Sequence, residues 1–271
     1  MAATAHPQIF GILNITADSF SDGGQYLQPD KALAQAQRLV QGGADVLDIG
    51  PASSHPDSQP VDAATEIDRL AAVWPGLCEL NVQLSIDSFQ TATQAWAIHQ
   101  GVDWLNDIHG FADPSLYPLL ADSDCRLVVM HALQAQGAAR RQPPPDEDIW
   151  DVVLRFFDRR LTALADAGIA SSRLVLDPGM GFFLGDRPEP SLRMLSKLAA
   201  LKAHFDLPVL VSVSRKSFLR HISGRSVEDS GPVTLAAELW AAQSGVDYIR
   251  THDVAQLRDA LAVTDMLQQS Q

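Results

Sequence analysis

The sequence predicts a single-domain (β/α)8 barrel. Eight short runs rich in β-branched and aliphatic residues end near Leu13, Ile49, Ile86, Leu105, Met130, Leu176, Val213 and Ile249. Amphipathic helical stretches alternate with them. Four of the seven steps between successive strand ends are close to 36 residues, the length of one strand–helix unit. An open doubly wound sheet is the competitor, but the Gly-x-Gly-x-x-Gly turn expected after its first strand is absent. The chain's 271 residues suit one barrel, and a chain of that size can bury about 73% of its unfolded surface. No linker, low-complexity tract or composition break divides it, so the domain is taken as residues 1–271.

The elements follow in order. After the first strand comes a polar loop, Asp18–Gly24. Asp30–Gln41 then carries Leu33, Ala36 and Val40 on one helical face and stops at Gly42-Gly43. The second strand leads into Pro51–Pro60, rich in proline and serine, and then a helix over Asp62–Val73 with Ile67, Leu70 and Ala71 inward. Thr91–Gln100 follows the third strand, and Ile149–Ala167 follows the fifth. The longest step contains Gln134–Glu147, with Pro143-Pro144-Pro145, which reads as a loop insertion. Leu192, Leu195 and Leu198 mark a further helix, as do Leu235 with Leu239, and Val254 with Leu257 and Leu261. Long polar loops at this end of a barrel are candidate lids or plain connections.

Composition excludes several classes. A net charge of −13 argues against a non-specific nucleic-acid binder. No stretch approaches the length of a membrane span, and the first ten residues lack a cationic segment followed by an apolar run. Cys78 and Cys125 form no metal-ligand spacing and read as reduced thiols. A cytoplasmic protein is expected.

In a barrel the chemistry sits at the C-terminal ends of the strands. Those ends read Asn14, Gly50, Asp87, Asn106-Asp107, His131, Asp177, Ser214-Arg215-Lys216 and Arg250-Thr251-His252. One polar residue after a strand is ordinarily a turn or helix start, but nearly all eight positions together form a ring around a pocket. Strands seven and eight bring Arg215, Lys216, Arg250 and His252, a corner suited to an anion; salt bridging to carboxylates is the plainer alternative. Asp87, Asn106 and Asp177 are acceptors that require donors. The donor edge of a guanidine-like heterocycle suits them, and an internal Arg or Lys is the alternative. No histidine cluster suggests a zinc site, and Lys216 beside Arg215 reads as a charge binder rather than a Schiff base.

Particular motifs carry a resemblance. Gly11–Gly24 (GILNITADSFSDGG) and Gly43–Pro56 (GADVLDIGPASSHP) resemble the first two motifs of dihydropteroate synthases. Ser85–Ser88, Asn106–Ile108, Val129–His131, Leu176–Gly179, Ser214–Ser217 and Arg250–His252 resemble the rest, in order, across nearly the whole chain. The resemblance implies a (β/α)8 barrel that condenses 6-hydroxymethyl-7,8-dihydropterin pyrophosphate with p-aminobenzoate, giving dihydropteroate and pyrophosphate. It implies Mg²⁺ as cofactor and a homodimer. It places Asp87, Asn106 and Asp177 on the pterin ring, lined by Ile108, Met130 and Phe182, with Lys216 near the reacting region. Asn14, Arg250 and His252 take the pyrophosphate, Asn14 also as a Mg²⁺ ligand. Asp22 belongs to a loop that closes over the reaction. Ser217 opens the helix that receives the benzoate carboxylate.

Departures from the family pattern are local. Pro51–Pro56 stands where Gly-Glu-Ser-Thr-Arg-Pro is usual, so the arginine is His55 and the threonine Ser54. Phe183-Leu184 replaces a frequent Gly-Lys after Phe182, and Ser212 stands near the pterin where glycine is common. These features resemble the mobile, sulfonamide-insensitive branch of the family. Discrimination against the drug is assigned to Ser54, Pro56, Phe182, Phe183, Arg215 and Ser217. A non-catalytic pterin-binding paralogue and a pterin-dependent methyltransferase are the rival readings.

Overall fold

The computed structural model describes residues 6–16 and 29–270. Eight parallel strands form one sheet: β1 Gln8–Asn14, β2 Val46–Gly50, β3 Gln83–Asp87, β4 Trp104–Asp107, β5 Arg126–Met130, β6 Leu174–Asp177, β7 Leu210–Val211 and β8 Tyr248–Thr251. Each strand pairs with its sequence neighbour from β1 to β6, β1 also pairs β8, and β8 pairs β7. A bridge between Leu176 and Val209 closes the ring. The Leu176 N–H donates to Pro208 O at 2.9 Å at the same seam. The fold is therefore the expected (β/α)8 barrel.

Helices fill the connections: α1 Pro29–Gln41, α2 Ala63–Cys78, α3 Thr91–His99, α4 Tyr117–Asp122, α5 Ile149–Asp166, α6 Pro188–Leu195, α7 Leu198–Phe205, α8 Ser217–Ser223, α9 Gly231–Gln243 and α10 Val254–Gln269. Asp62 caps α2 by accepting from Thr65 N–H, which explains its start. That helix runs past the expected Val73 to Cys78, although Pro75 lies inside it. The segment read as one helix around Leu192–Leu198 is two, parted at Ser196-Lys197. Strand β7 ends at Val211 rather than Val213, because only Leu210 and Val211 pair with β8.

Side chains on a strand alternate between faces, and this period builds the interior in layers. Phe10, Val46, Trp104, Val128, Val175, Leu210 and Tyr248 come from seven strands and form a plug separate from the helix-facing core. Phe10, Trp104 and Tyr248 meet edge to face at centroid distances of 5.1 to 5.6 Å. Two residues further along each strand, the same face carries Ile12, Asp48, Asn106, Met130, Asp177, Ser212 and Arg250. The hydrophobic plug thus floors a polar layer at the C-terminal end.

Candidate active site

Arg250 holds the centre of this layer. Its Nε donates to Asp48 Oδ2, and its Nη2 donates to Asp87 Oδ2 at 2.6 Å. Ser85 Oγ donates to the other oxygen of Asp48, and Asn106 Nδ2 donates to Asp48 Oδ2 at 3.3 Å. The alternative of an internal partner thus holds for Asp87. Asp48 is fully buried and was not singled out in the sequence. It lies two residues before the strand end, in the same layer as Asn106, Asp177 and Arg250. A carboxylate inside the buried run Val46–Gly50 was the available signal.

A small inner cavity of about 20 Å³ is bounded by Asp87, Asn106, Ile108, Met130, Asp177, Phe183, Ser212 and Lys216, among others. Three of its polar groups lack full partners. Among the described residues, Asn106 Oδ1 and Ser212 Oγ have none, and Asp177 accepts the Gly179 N–H at 2.8 Å and no other donor. Burial pushes Asp177 up to about 6, against the pull of that N–H and of Lys216. Burial pushes Asp87 up to about 7, against Arg250 and with the charge of Asp48. Burial and the Arg250 charge push Lys216 down to about 8. The Lys216 Nζ stands 4.8 Å from the Phe183 ring centre. Gly179 is required in the turn: its φ is +74°, and a Cβ there would come 2.3 Å from His131 O.

A wider cavity of about 310 Å³ adjoins it, lined by Asn14, His55, Pro56, Phe182, Arg215, Ser217, Arg220 and His252, with Ser54, Asp87, Phe183, Lys216 and Arg250 shared between the two. It gathers the expected cationic corner. Arg215 is exposed at φ +59°, unusual for a side-chain-bearing residue, and its N–H donates to Thr234 Oγ1 at 3.1 Å. His252 Nδ1 lies 2.9 Å from Ser214 Oγ. Burial and the neighbouring Arg215, Arg250 and Lys216 push its ring down to about 3.

Arg220 was not anticipated in the sequence. It stands on α8 three residues past Ser217, with a buried Nε that has no partner among the described residues. Its helical offset from Ser217 was the only clue.

Two expectations change. Phe183, rather than Phe182, is the buried aromatic packed among Ile108, Met130 and Ala139. Phe182 packs on the outside of that cluster and lines only the wider cavity. His131 leaves the ring because it is one residue out of phase with Met130. Its Nδ1 meets Pro178 O at 3.2 Å and its ring meets Phe156 edge-on. Asp107, equally out of phase, accepts from the His109 and Phe111 N–H groups and from Gln94. Asp22 and the loop Asp18–Gly24 lie outside the described residues.

The insertion 134–147 crosses the face as a strap. Its Ala139 N–H donates to Ser54 O, and Asp186 N–H donates to its Gln142 O. Arg141 makes a two-pronged pair with Asp57 and stands 5.4 Å from the Phe182 ring centre. His55 meets the same ring edge-on at 6.0 Å.

This pairing of an acceptor-lined inner cavity with a cationic outer one agrees with the comparisons. Residues 10–252 match the model of the pterin-binding enzyme family. A dihydropteroate synthase type-2 of Escherichia coli is 56% identical over 262 residues, covering 97% of this chain and 96% of that protein. The chain belongs to the dihydropteroate synthases. A type-1 synthase of Pseudomonas aeruginosa is 51% identical over 260 residues, covering 96% and 93%. The Xanthomonas albilineans synthase solved with 4-aminobenzoic acid superposes with a TM-score of 0.89 at 34% identity, covering 98% of this chain and 94% of that one. Among the described residues, no helix of the synthase is long and apolar enough to cross a membrane.

Proposed function

We propose that this synthase joins 6-hydroxymethyl-7,8-dihydropterin pyrophosphate to p-aminobenzoate and that its mouth disfavours sulfonamides. The observation that carries the first part is the unsatisfied acceptor set, Asp177 and Asn106 Oδ1, beside a cationic outer cavity. Asp177 accepts from the pterin amino and ring N–H edge, Asn106 Oδ1 takes a further donor, and Ile108, Met130 and Phe183 pack on the ring.

The pyrophosphate lies toward Asn14, His252 and the remaining Arg250 N–H groups. The methylene C–O bond breaks, its electron pair leaves with pyrophosphate, and the cation spreads into the pterin ring. The arylamine nitrogen then bonds to the methylene carbon and gives up one proton. Lys216 and Arg250 stabilise the leaving charge, while Asp87 and Asp177 face the cation. An arylamine is a neutral nucleophile, so the site needs no strong base.

Mg²⁺ fits Asn14. A Cβ at Gly50 would come 3.1 Å from Asn14 Oδ1, so the glycine leaves room beside a neutral oxygen donor. Mg²⁺ is commonly bound by few protein oxygens plus substrate phosphates and water, and when bound it would neutralise pyrophosphate charge.

The benzoate carboxylate is assigned to Ser217 and the unpartnered Arg220 Nε. The wall built by Ser54, Pro56, Phe182 and Phe183 borders the place where a sulfonyl nitrogen substituent extends beyond the carboxylate it mimics. A steric block there costs the drug and spares the substrate. Exposed Trp240, Val263, Met266 and Leu267 on α9 and α10 support the homodimer reading, and the free thiols Cys78 and Cys125 support a reducing, cytoplasmic setting. Pyrophosphate release, titrated with sulfamethoxazole beside a drug-sensitive homologue, tests the whole reading. Normal inhibition removes the discrimination; absent turnover with retained pterin binding replaces the enzyme with a binding paralogue.

A further inference from the structure

Behind the anion corner lies a row of buried hydroxyls. Ser214 Oγ sits 2.9 Å from His252 Nδ1 and accepts the His252 backbone N–H at 3.2 Å. Thr251 Oγ1, fully buried, donates to Ser214 Oγ at 3.5 Å. Thr251 Oγ1 in turn accepts the Asp253 N–H at 3.3 Å. Glu238 on α9 is buried next to the Thr251 side chain, with one carboxyl oxygen unpartnered among the described residues.

A serine hydroxyl has one hydrogen and two acceptor lone pairs. Both lone pairs of Ser214 are taken, by the His252 N–H and by Thr251. Its hydrogen is therefore left for His252 Nδ1. A neutral imidazole that accepts at Nδ1 carries its proton on Nε2. Nε2 is the ring nitrogen left to a ligand in the cavity that His252 lines. The charged groups acting on the row are Arg215, Arg250 and Lys216 at His252 and Asp253 at Glu238.

We propose that Ser214, backed by Thr251, is a positioning residue that holds His252 as the Nε2–H tautomer, so that a neutral ring donates to the departing pyrophosphate. This rests on the reading that His252 meets that anion. Without the serine, the ring can put its proton on Nδ1 and present a lone pair to the phosphate oxygens, which repels them.

The test is ¹⁵N NMR of histidine-labelled enzyme, with the His252 signals assigned by their loss in His252→Asn, together with calorimetric titration of pyrophosphate. The wild type should show a protonated Nε2 and an accepting Nδ1. Ser214→Ala should mix the tautomers, weaken pyrophosphate about tenfold and lower kcat, while leaving KM for p-aminobenzoate in place. Ser214→Thr should restore both. A wild-type ring protonated on Nδ1 overturns the proposal even if the alanine variant fails to fold, and so does an alanine variant with unchanged tautomer and affinity. Unchanged pyrophosphate affinity in His252→Asn overturns the anion reading itself, which the tautomer spectrum does not address.

Discussion

Arg250 Nη2 donates to Asp87 Oδ2 at 2.6 Å, deep in the barrel mouth, while its Nε is held by Asp48. The guanidinium therefore fixes the acceptor layer, and it lines both the inner and the wider cavity. Breaking a buried ion pair from one side typically costs about 3–5 kcal/mol. Arg250→Ala should lose stability on that order in urea denaturation and abolish turnover. Arg250→Lys should retain part of the stability but lose most of kcat/KM, because an ammonium cannot span both carboxylates.

Asp177 sits at about 6 when its cavity holds no donor, because burial disfavours its charge. A pterin that donates to the carboxylate favours the ionised form and lowers that value. Binding near pH 6 should therefore release a proton, and affinity should fall as pH drops below about 6. Calorimetry in buffers of different ionisation enthalpy reads the proton directly. Asp177→Asn should abolish the release. The same raised values for Asp87 and Asp177 imply that the unliganded protein loses stability as pH rises from about 4 through about 7, seen as a falling Tm across that window.

Phe183 is the aromatic that departs from the family pattern, and it fills the space beneath Lys216 and beside Met130. Phe183→Gly should lower the sulfamethoxazole inhibition constant at least about tenfold with a smaller change in KM for p-aminobenzoate. It should also lower Tm, since truncating a buried aromatic leaves a cavity. Phe182→Ala, on the outer wall, should affect drug inhibition without the same loss of Tm.

The Arg141–Asp57 pair ties the strap to the second loop, with both side chains more than half exposed. Exposed pairs contribute little, so Arg141→Asp should shift drug inhibition and KM for p-aminobenzoate only about threefold. The exchange Arg141→Asp with Asp57→Arg should restore the wild-type values at low salt, and added salt should erase the difference.

Most of the barrel was legible because strand length, helix period and unit spacing all reported the same architecture. Asp87, Asn106, Asp177 and Arg250 were legible because each follows an apolar strand in the inward phase. His131 was not separable from them by spacing, since phase at the end of β5 depends on where the strand turns away. Asp48 was missed because it lies inside β2, two residues before the strand end where the ring was read. The partition between Phe182 and Phe183 depends on a 3₁₀ turn at Gly181–Phe183, whose direction no local pattern announces. The strap's contacts were illegible because Arg141 and Asp57 are 84 positions apart in sequence.

One measurement addresses the central claim: pyrophosphate release from the dihydropterin pyrophosphate with p-aminobenzoate, titrated with sulfamethoxazole in parallel with a drug-sensitive synthase. The account predicts turnover that persists at drug concentrations which silence the sensitive enzyme. Equal inhibition of the two enzymes would contradict it.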